Sequence, residues 1–245
     1  MNNTKHATNP VTPDKGKKEQ MRSMFNRIAP SYDMLNHLFS CHIDRWWRHR
    51  ATRLAASRQP RRILDLATGT GDMAIALAQR IPQCEILGLD LSEEMLSVAQ
   101  RKVKAHNLEQ RIILRTGDAE HLPMSDKLFD AVTVGFGIRN FARLEQCFQE
   151  MHRVLQPNGR LIIVELTTPK NRLIRTIYEF YSFRLMPLIG GWISREKKAY
   201  RYLPASVHAF HSPERVVEMM QGAGFRDCAA HPLTFGIAHL FTATR

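Results

Sequence analysis

A chain of 245 residues, 44% hydrophobic and 24% charged, has the size and balance of one α/β domain, which excludes a disordered or membrane-spanning body. Its formal charge of +12 predicts attraction to polyanions, either nucleic acid or an anionic membrane face. No apolar run approaches the ~18 residues of a membrane span, residues 1–20 lack the apolar core of a signal peptide, and a soluble cytoplasmic protein is expected.

Residues 1–17 are polar and aperiodic and read as a disordered tail, so one domain is expected over 18–245. Met21, Met24, Phe25 and Ile28 recur at helical spacing, and a second apolar-aromatic stretch runs from Leu35 to Trp47. Together, residues 18–59 read as an N-terminal helical lid. Cys41 is the first of four cysteines; with Cys84, Cys147 and Cys228 far away, neither zinc-knuckle nor dithiol spacing exists, and no metal is expected.

After Pro60 the pattern changes. Residues 63–67 form a short apolar strand ending in Gly69-Thr70-Gly71, and a helix follows over 73–81. Residues 85–90 repeat the unit, with Ser92 as N-cap and Glu93 and Glu94 in the first helical turn. Further strands are predicted at 112–114, 129–134 and 161–166, with a helix from Leu144 to Leu155 stopped by Pro157-Asn158-Gly159. A basic, aromatic insert over 170–210 interrupts the alternation. Helix 213–223 and two strands at 225–230 and 236–244 close the chain as a hairpin. Strands alternating with helices imply a mostly parallel sheet covered on both faces, with its ligand at the carboxyl ends of the strands.

Three acids mark those ends: Asp65, Asp90 and Asp118. Gly69-x-Gly71-x-x-Ala74 also satisfies the dinucleotide fingerprint, with Asp90 placed as an NAD-binding acid would be. Asp65 tilts the balance, because a dinucleotide strand continues apolar there, whereas a carboxylate suits the cationic amino-acid tail of S-adenosyl-L-methionine. Gly69, Thr70 and Gly71 then let the backbone approach the ligand, Asp90 accepts the ribose hydroxyls, and Asp118 with Ala119 holds the adenine. Each acid has a plainer reading as a capping, turn or solvated loop residue.

The run Ile63-Leu64-Asp65-Leu66-Ala67-Thr68-Gly69-Thr70-Gly71-Asp72 resembles the first motif of class I methyltransferases. Tyr32-Asp33-Met34-Leu35-Asn36 with Ser40 and Arg45-Trp46-Trp47-Arg48, then Phe136-Gly137-Ile138-Arg139-Asn140, then Arg201-Tyr202-Leu203-Pro204-Ala205-Ser206 with Phe210, resemble the menaquinone/ubiquinone biosynthesis C-methyltransferase family. That resemblance implies a Rossmann-like, seven-stranded sheet and S-adenosyl-L-methionine as methyl donor. It also implies a polyprenylated quinol as substrate, with demethylmenaquinol favoured over the benzoquinol precursor of ubiquinone. Cys41-His42 stands where the family commonly has a glycine, and His211 where it often has proline.

Ring-carbon methylation needs a group that stabilises the neighbouring oxyanion. The family motif assigns this to Arg139, with Tyr32 and Asp33 in the lid over the cofactor; a solvated or ion-paired arginine and a merely anchoring lid pair are the alternatives. The segment after the predicted fourth strand lacks the Asn/Asp-Pro-Pro-aromatic motif of amino-group methylases, and no cysteine has the setting of a cytosine C5 nucleophile. The insert mixes basic and aromatic side chains, as an element touching an anionic membrane surface would. The same mixture suits single-stranded RNA, although no nucleic acid partner is expected. An NAD-dependent oxidoreductase and an RNA-binding module remain the competing classes, and the oligomeric state is open, a homodimer among the options.

Overall fold

The computed structural model describes residues 13–186 and 197–245. The predicted tail up to residue 12, and Trp192 and Arg195 of the insert, lie outside them. The first helix, α1 (Pro13–Ile28), begins inside the segment read as tail, because Lys17 and Lys18 are tied to the body rather than solvated: Lys17 Nζ donates to the Phe141 carbonyl at 3.0 Å. Helices α2 (Tyr32–Phe39) and α3 (Ile43–Ala56) complete the N-terminal segment.

Seven strands follow: β1 (Arg62–Leu66), β2 (Glu85–Asp90), β3 (Ile112–Thr116), β4 (Phe129–Gly135), β5 (Leu155–Leu166), β6 (Arg226–Leu233) and β7 (Ala238–Thr244). They lie in the order β3-β2-β1-β4-β5-β7-β6. The first five are parallel; β7 runs antiparallel to β5 and pairs with β6 as the predicted hairpin. Helices α4 (Asp72–Arg80), α5 (Glu93–Ala105) and α6 (Leu144–Val154) are the crossovers, and α9 (Pro213–Gly222) precedes the hairpin. Ser92 caps α5 as expected, its Oγ accepting from the Met95 amide at 3.2 Å.

Alternation within the strands sorts the core onto two faces. Leu64, Leu66, Val132 and Val134 join Phe148 and Met151 of α6 and Met220 of α9 on one side. Ile63, Ala131 and Ile162 join α4 and α3, through Ala74, Leu77, Trp47 and Ala51, on the other. Helix α3 is therefore one of the layers of the domain, while α1 and α2 pack over the sheet's carboxyl edge around Met95. Within the stretch 18–59 read as a lid, α3 is thus packed into the domain, whereas α1 and α2 cover the carboxyl edge.

Pro157-Asn158-Gly159 does more than end a helix. Strand β5 starts at Leu155, directly after α6, and the triplet forms an irregularity within it, where the pairing with β4 shifts between Phe129 and Ala131. A Cβ at Gly159 would stand 2.8 Å from the Gln156 carbonyl oxygen, so the bulge needs glycine. In the insert, Asn171 caps α7 (Arg172–Phe180), which runs on into a single π-helical turn at Tyr181–Leu185; α8 (Lys197–Ala209) carries the rest.

Candidate active site

At the carboxyl edge β1 and β4 end in residues bent into the left-handed region, Ala67 (φ 50°) and Phe136 (φ 60°). The following Gly137 passes so close that a Cβ there would lie 2.6 Å from the Ala67 Cβ. Reversing two strands this sharply opens a cavity of about 810 Å3, counting its mouth, between the strand ends and α1. Gly69, Asp90, Asp118 and Ala119 line it, and Met21 and Phe25 of α1 roof it.

Asp90 sits at the cavity wall with one carboxylate oxygen accepting from the Gly69 amide at 2.8 Å and the other from the Ser92 amide at 2.9 Å. Burial raises its pKa, with the Ser92 and Gly69 amides acting the other way. Both oxygens keep a lone pair for a diol. Asp118 also reaches the cavity, but it is not free. Lys18 of α1 contacts it at 2.6 Å and Glu120 at 2.7 Å, so the adenine-end acid is bridged to the lid.

Asp65 is placed differently from its expected role. It is fully buried beneath the cavity and does not line it. Thr68 and Thr133 hydroxyls each donate to it at 2.6 Å, and Thr133 is its register partner on β4. Burial pushes its pKa up to about 6, against the two hydroxyls. On the other flank of β1 stands Gly88, where a Cβ would come within 3.0 Å of Thr68 Oγ1, so glycine leaves room for the donor. Asp65 thus braces the turn carrying the site from beneath it.

The glycine turn divides likewise. Gly69 (φ 56°) is at the cavity, whereas Gly71 (φ 85°) heads α4 and packs beneath Ala99 of α5, whose Cβ would lie 3.1 Å from one added there. Thr70 is buried, and its hydroxyl donates to Asp33 of α2. Lys102 Nζ contacts Asp33 at 2.6 Å and also pairs with Asp72. Burial works against the ionised Asp72, but Arg48 and Lys102 outweigh it and hold its pKa below the usual carboxylate range. Asp33 is therefore a latch between lid and turn; it lines neither of the two cavities.

Tyr32 does line the cavity, and with Phe136 it also lines a second one of about 1010 Å3. This neighbour is walled by Phe39, Trp47, Leu166, Met186 and Ile237, and Arg139 stands in it. The guanidinium is 5% exposed, Nη1 meeting Glu165 Oε1 and the Phe136 carbonyl, each at 2.6 Å. Its charge is secure: burial opposes it, but the Glu165 carboxylate beside it holds its pKa above the ordinary value. Burial also raises the Tyr32 phenol, and Arg139 opposes that, so at neutral pH the phenol is a proton-bearing donor.

Several participants escaped the sequence reading. Glu165 ends β5 as a lone charge on an apolar run, the same signal that marked Asp65, and was legible there. Lys18 and Lys102 come from distant segments with no local pattern, whereas Ser206, which accepts from Arg139 Nε at 3.3 Å, stood in a family motif without a role read for it. The departure at Cys41-His42 keeps its shape without glycine: both residues take left-handed φ (48° and 62°), and the His42 ring stacks on His37 at 5.5 Å.

Among solved structures, a SAM-dependent methyltransferase from Thermotoga maritima aligns with a TM-score of 0.61 over 91% of this chain and 98% of its own, at 19% identity. The [4+2]-cyclase SpnF aligns at 0.66 over 96% and 97%, at 18%. Such distant likenesses establish the fold alone, and the cyclase shows that the fold does not dictate the reaction. Sequence relatives are much nearer. A demethylmenaquinone methyltransferase of Thermus thermophilus is 47% identical over 91% of this chain and all of its own length. A ubiquinone/menaquinone biosynthesis C-methyltransferase of Geobacter sulfurreducens is 44% identical over 94% of this chain and 90% of its own. The model of the ubiE/COQ5 methyltransferase family matches residues 14–245, and this chain belongs to that family.

Proposed function

We propose that this enzyme moves a methyl group from S-adenosyl-L-methionine to a ring carbon of a polyprenylated quinol, demethylmenaquinol, held in the second cavity. The observation that carries the reading is the meeting of two cavities at Tyr32 and Phe136: one lined with nucleoside-type acceptors, the other largely apolar, with Arg139 held by Glu165 and Arg48 paired to Asp44 in its wall. The cofactor's residues fit by their donor set: Asp90 for the ribose diol, Asp118 and Ala119 for the adenine edge, Gly69 for close backbone approach. When bound, S-adenosyl-L-methionine supplies an electrophilic methyl on sulfur.

The chain's own task is positioning, excluding water and steadying charge. A phenolic hydroxyl ionises near pH ~10, and a fixed cation at contact distance favours its anion. Arg139, kept charged and clamped by Glu165 at 2.6 Å, would stabilise that oxyanion once its proton has passed to water; the ring carbon would then take the methyl as the carbon–sulfur electron pair stays with sulfur, and the ring C–H proton would return to the oxygen. Tyr32, still bearing its proton, donates to a substrate oxygen at the junction.

The substrate's tail calls for a lipid-facing entrance, and α7 has the form of one. Tyr178 turns into the second cavity, while Leu173, Ile177 and Phe180, at spacings of four and three, stand 71%, 61% and 62% exposed. Arg172 and Arg184 are exposed near the ends of that ridge. Phe235, 79% exposed, projects from the hairpin turn whose neighbours Thr234 and Ile237 line the same cavity. Together they support peripheral contact with an anionic membrane. No helix among the described residues is long and apolar enough to cross one.

Labelled cofactor incubated with demethylmenaquinol and with the prenylated benzoquinol tests the substrate. Label on the naphthoquinol ring carbon is the expected result; label on the benzoquinol alone reverses the preference, and label on neither removes the reading. Ile177→Glu with Phe180→Glu should release the protein from anionic vesicles while leaving turnover of a short-chain, detergent-dispersed quinol unchanged.

A further inference from the structure

The second cavity contains a polar group that the foregoing chemistry does not use. Ser182, in the π-helical turn that extends α7, is 1% exposed, and its hydroxyl finds no partner of hydrogen-bonding geometry among the described residues. Other polar groups of this wall are occupied: Tyr181 donates to the Phe39 carbonyl, Ser40 to Asp44, and Trp47 Nε1 to Thr234, at 2.9, 2.6 and 2.9 Å. Buried hydroxyls without partners are rare because each forfeits its hydration, and π-helical turns concentrate at functional sites. Both anomalies fall on one residue of one cavity wall.

We infer that Ser182 forms an oxygen-binding subsite taking the second ring hydroxyl of the quinol. A quinol has two oxygens on opposite sides of the ring. Arg139 serves the one beside the attacking carbon, so a cavity that fixes the ring needs a second polar point, and the unfilled Ser182 hydroxyl in its wall supplies it. The Tyr178 phenol lines the same cavity close enough to Ser182 to feel its hydroxyl, though not in hydrogen-bonding geometry: burial raises the phenol's pKa while Ser182 lowers it, so it remains protonated beside the serine and can share the same oxygen. The π-helical turn explains the aim, since its extra residue per turn shifts the following side chains around the helix axis relative to an α-helical continuation. Ser182 is thereby a positioning residue for the ring. The inference rests on the quinol reading above.

The test pairs a protein change with a substrate change. Ser182→Ala is compared with the unaltered enzyme on the prenylated quinol and on the prenylated naphthol that lacks the second ring hydroxyl. The unaltered enzyme should show a KM about tenfold higher for the naphthol, the size of one lost hydrogen bond. Ser182→Ala should raise the quinol KM by about the same factor, leave the naphthol KM unchanged, and melt no lower than the parent without ligand, because a buried unpaired hydroxyl has been removed. An equal effect on both substrates, or none on either, overturns the subsite. If Ser182→Ala does not fold, Ser182→Cys, which keeps the volume and weakens the donor, is held to the same pattern. Absence of turnover of the quinol by the unaltered enzyme is a different failure and refutes the quinol reading itself.

Discussion

The two cavities that meet at Tyr32 and Phe136 are built by different means. The nucleoside side is made from strand ends and backbone: Gly69, Asp90, Asp118 and Ala119 follow β1, end β2 and follow β3, so sheet register fixes their spacing. The quinol side is made from side chains of α2, α3, α7 and α8 closing over the same edge, with Arg139 as its charged centre. A sheet edge gives a rigid acceptor array usable for one invariant ligand, whereas a wall of helices can be reshaped for a ring and its tail.

The sharpest break in that comparison comes at Arg139. Arg139→Ala should lower turnover ~100-fold or more by loss of oxyanion stabilisation, with S-adenosylhomocysteine affinity in calorimetry changed less than about threefold. It also strands Glu165, 0% exposed, at a penalty of about 3–5 kcal/mol. Adding Glu165→Met to Arg139→Met should therefore restore much of the urea-unfolding stability and none of the turnover; recovered turnover would return Arg139 to a structural role.

Asp65 and Asp90 sharpen it further, as two acids at adjacent strand ends with opposite duties. Asp65 has a folded-state pKa raised to about 6, against ~3.9 in the unfolded chain. The unfolded chain thus releases its proton first, and stability falls as pH rises from about 4 to about 6. Asp65→Asn removes that loss, so relative to the parent it should gain about 2–3 kcal/mol between pH 4 and pH 7 in urea titrations. Its S-adenosylhomocysteine affinity should stay within about threefold, and a large drop would put Asp65 back on the ligand. Asp90→Asn should do the reverse: ligand affinity falls about 10- to 30-fold, or about 1.4–2 kcal/mol, since only the cavity-wall acid faces the diol.

The smallest effect lies in the lid. Cys41 is exposed and holds φ 48°, so Cys41→Gly should stabilise by about 0.5–1 kcal/mol in the same titration. Destabilisation would mean that the Cys41-His42 turn depends on contacts of the cysteine itself.

What could be read from the chain follows the same division. Strands alternating with helical stripes disclosed the sheet, its hairpin and the carboxyl-edge site, because those signals are local: Asp90 ends an apolar strand, and Ser92 caps the helix after it. Asp65 was legible as an acid at a strand end, but sequence does not reveal which face it takes; only its bonds to Thr68 and Thr133 show it beneath the floor of the cavity. Lys18 on Asp118 and Lys102 on Asp33 join segments 100 and 69 residues apart, and nothing in either neighbourhood announces the partner. The start of α1 at Pro13 was hidden for the same reason, because its anchoring contacts are tertiary.

A crystal of the enzyme with S-adenosylhomocysteine and a short-chain quinol measures the central claim most directly. The account predicts the ribose on Asp90, the quinol ring against Arg139, and the sulfur and ring carbon facing one another between Tyr32 and Phe136. A ring seated in the nucleoside cavity, or one bound away from Arg139, would contradict it.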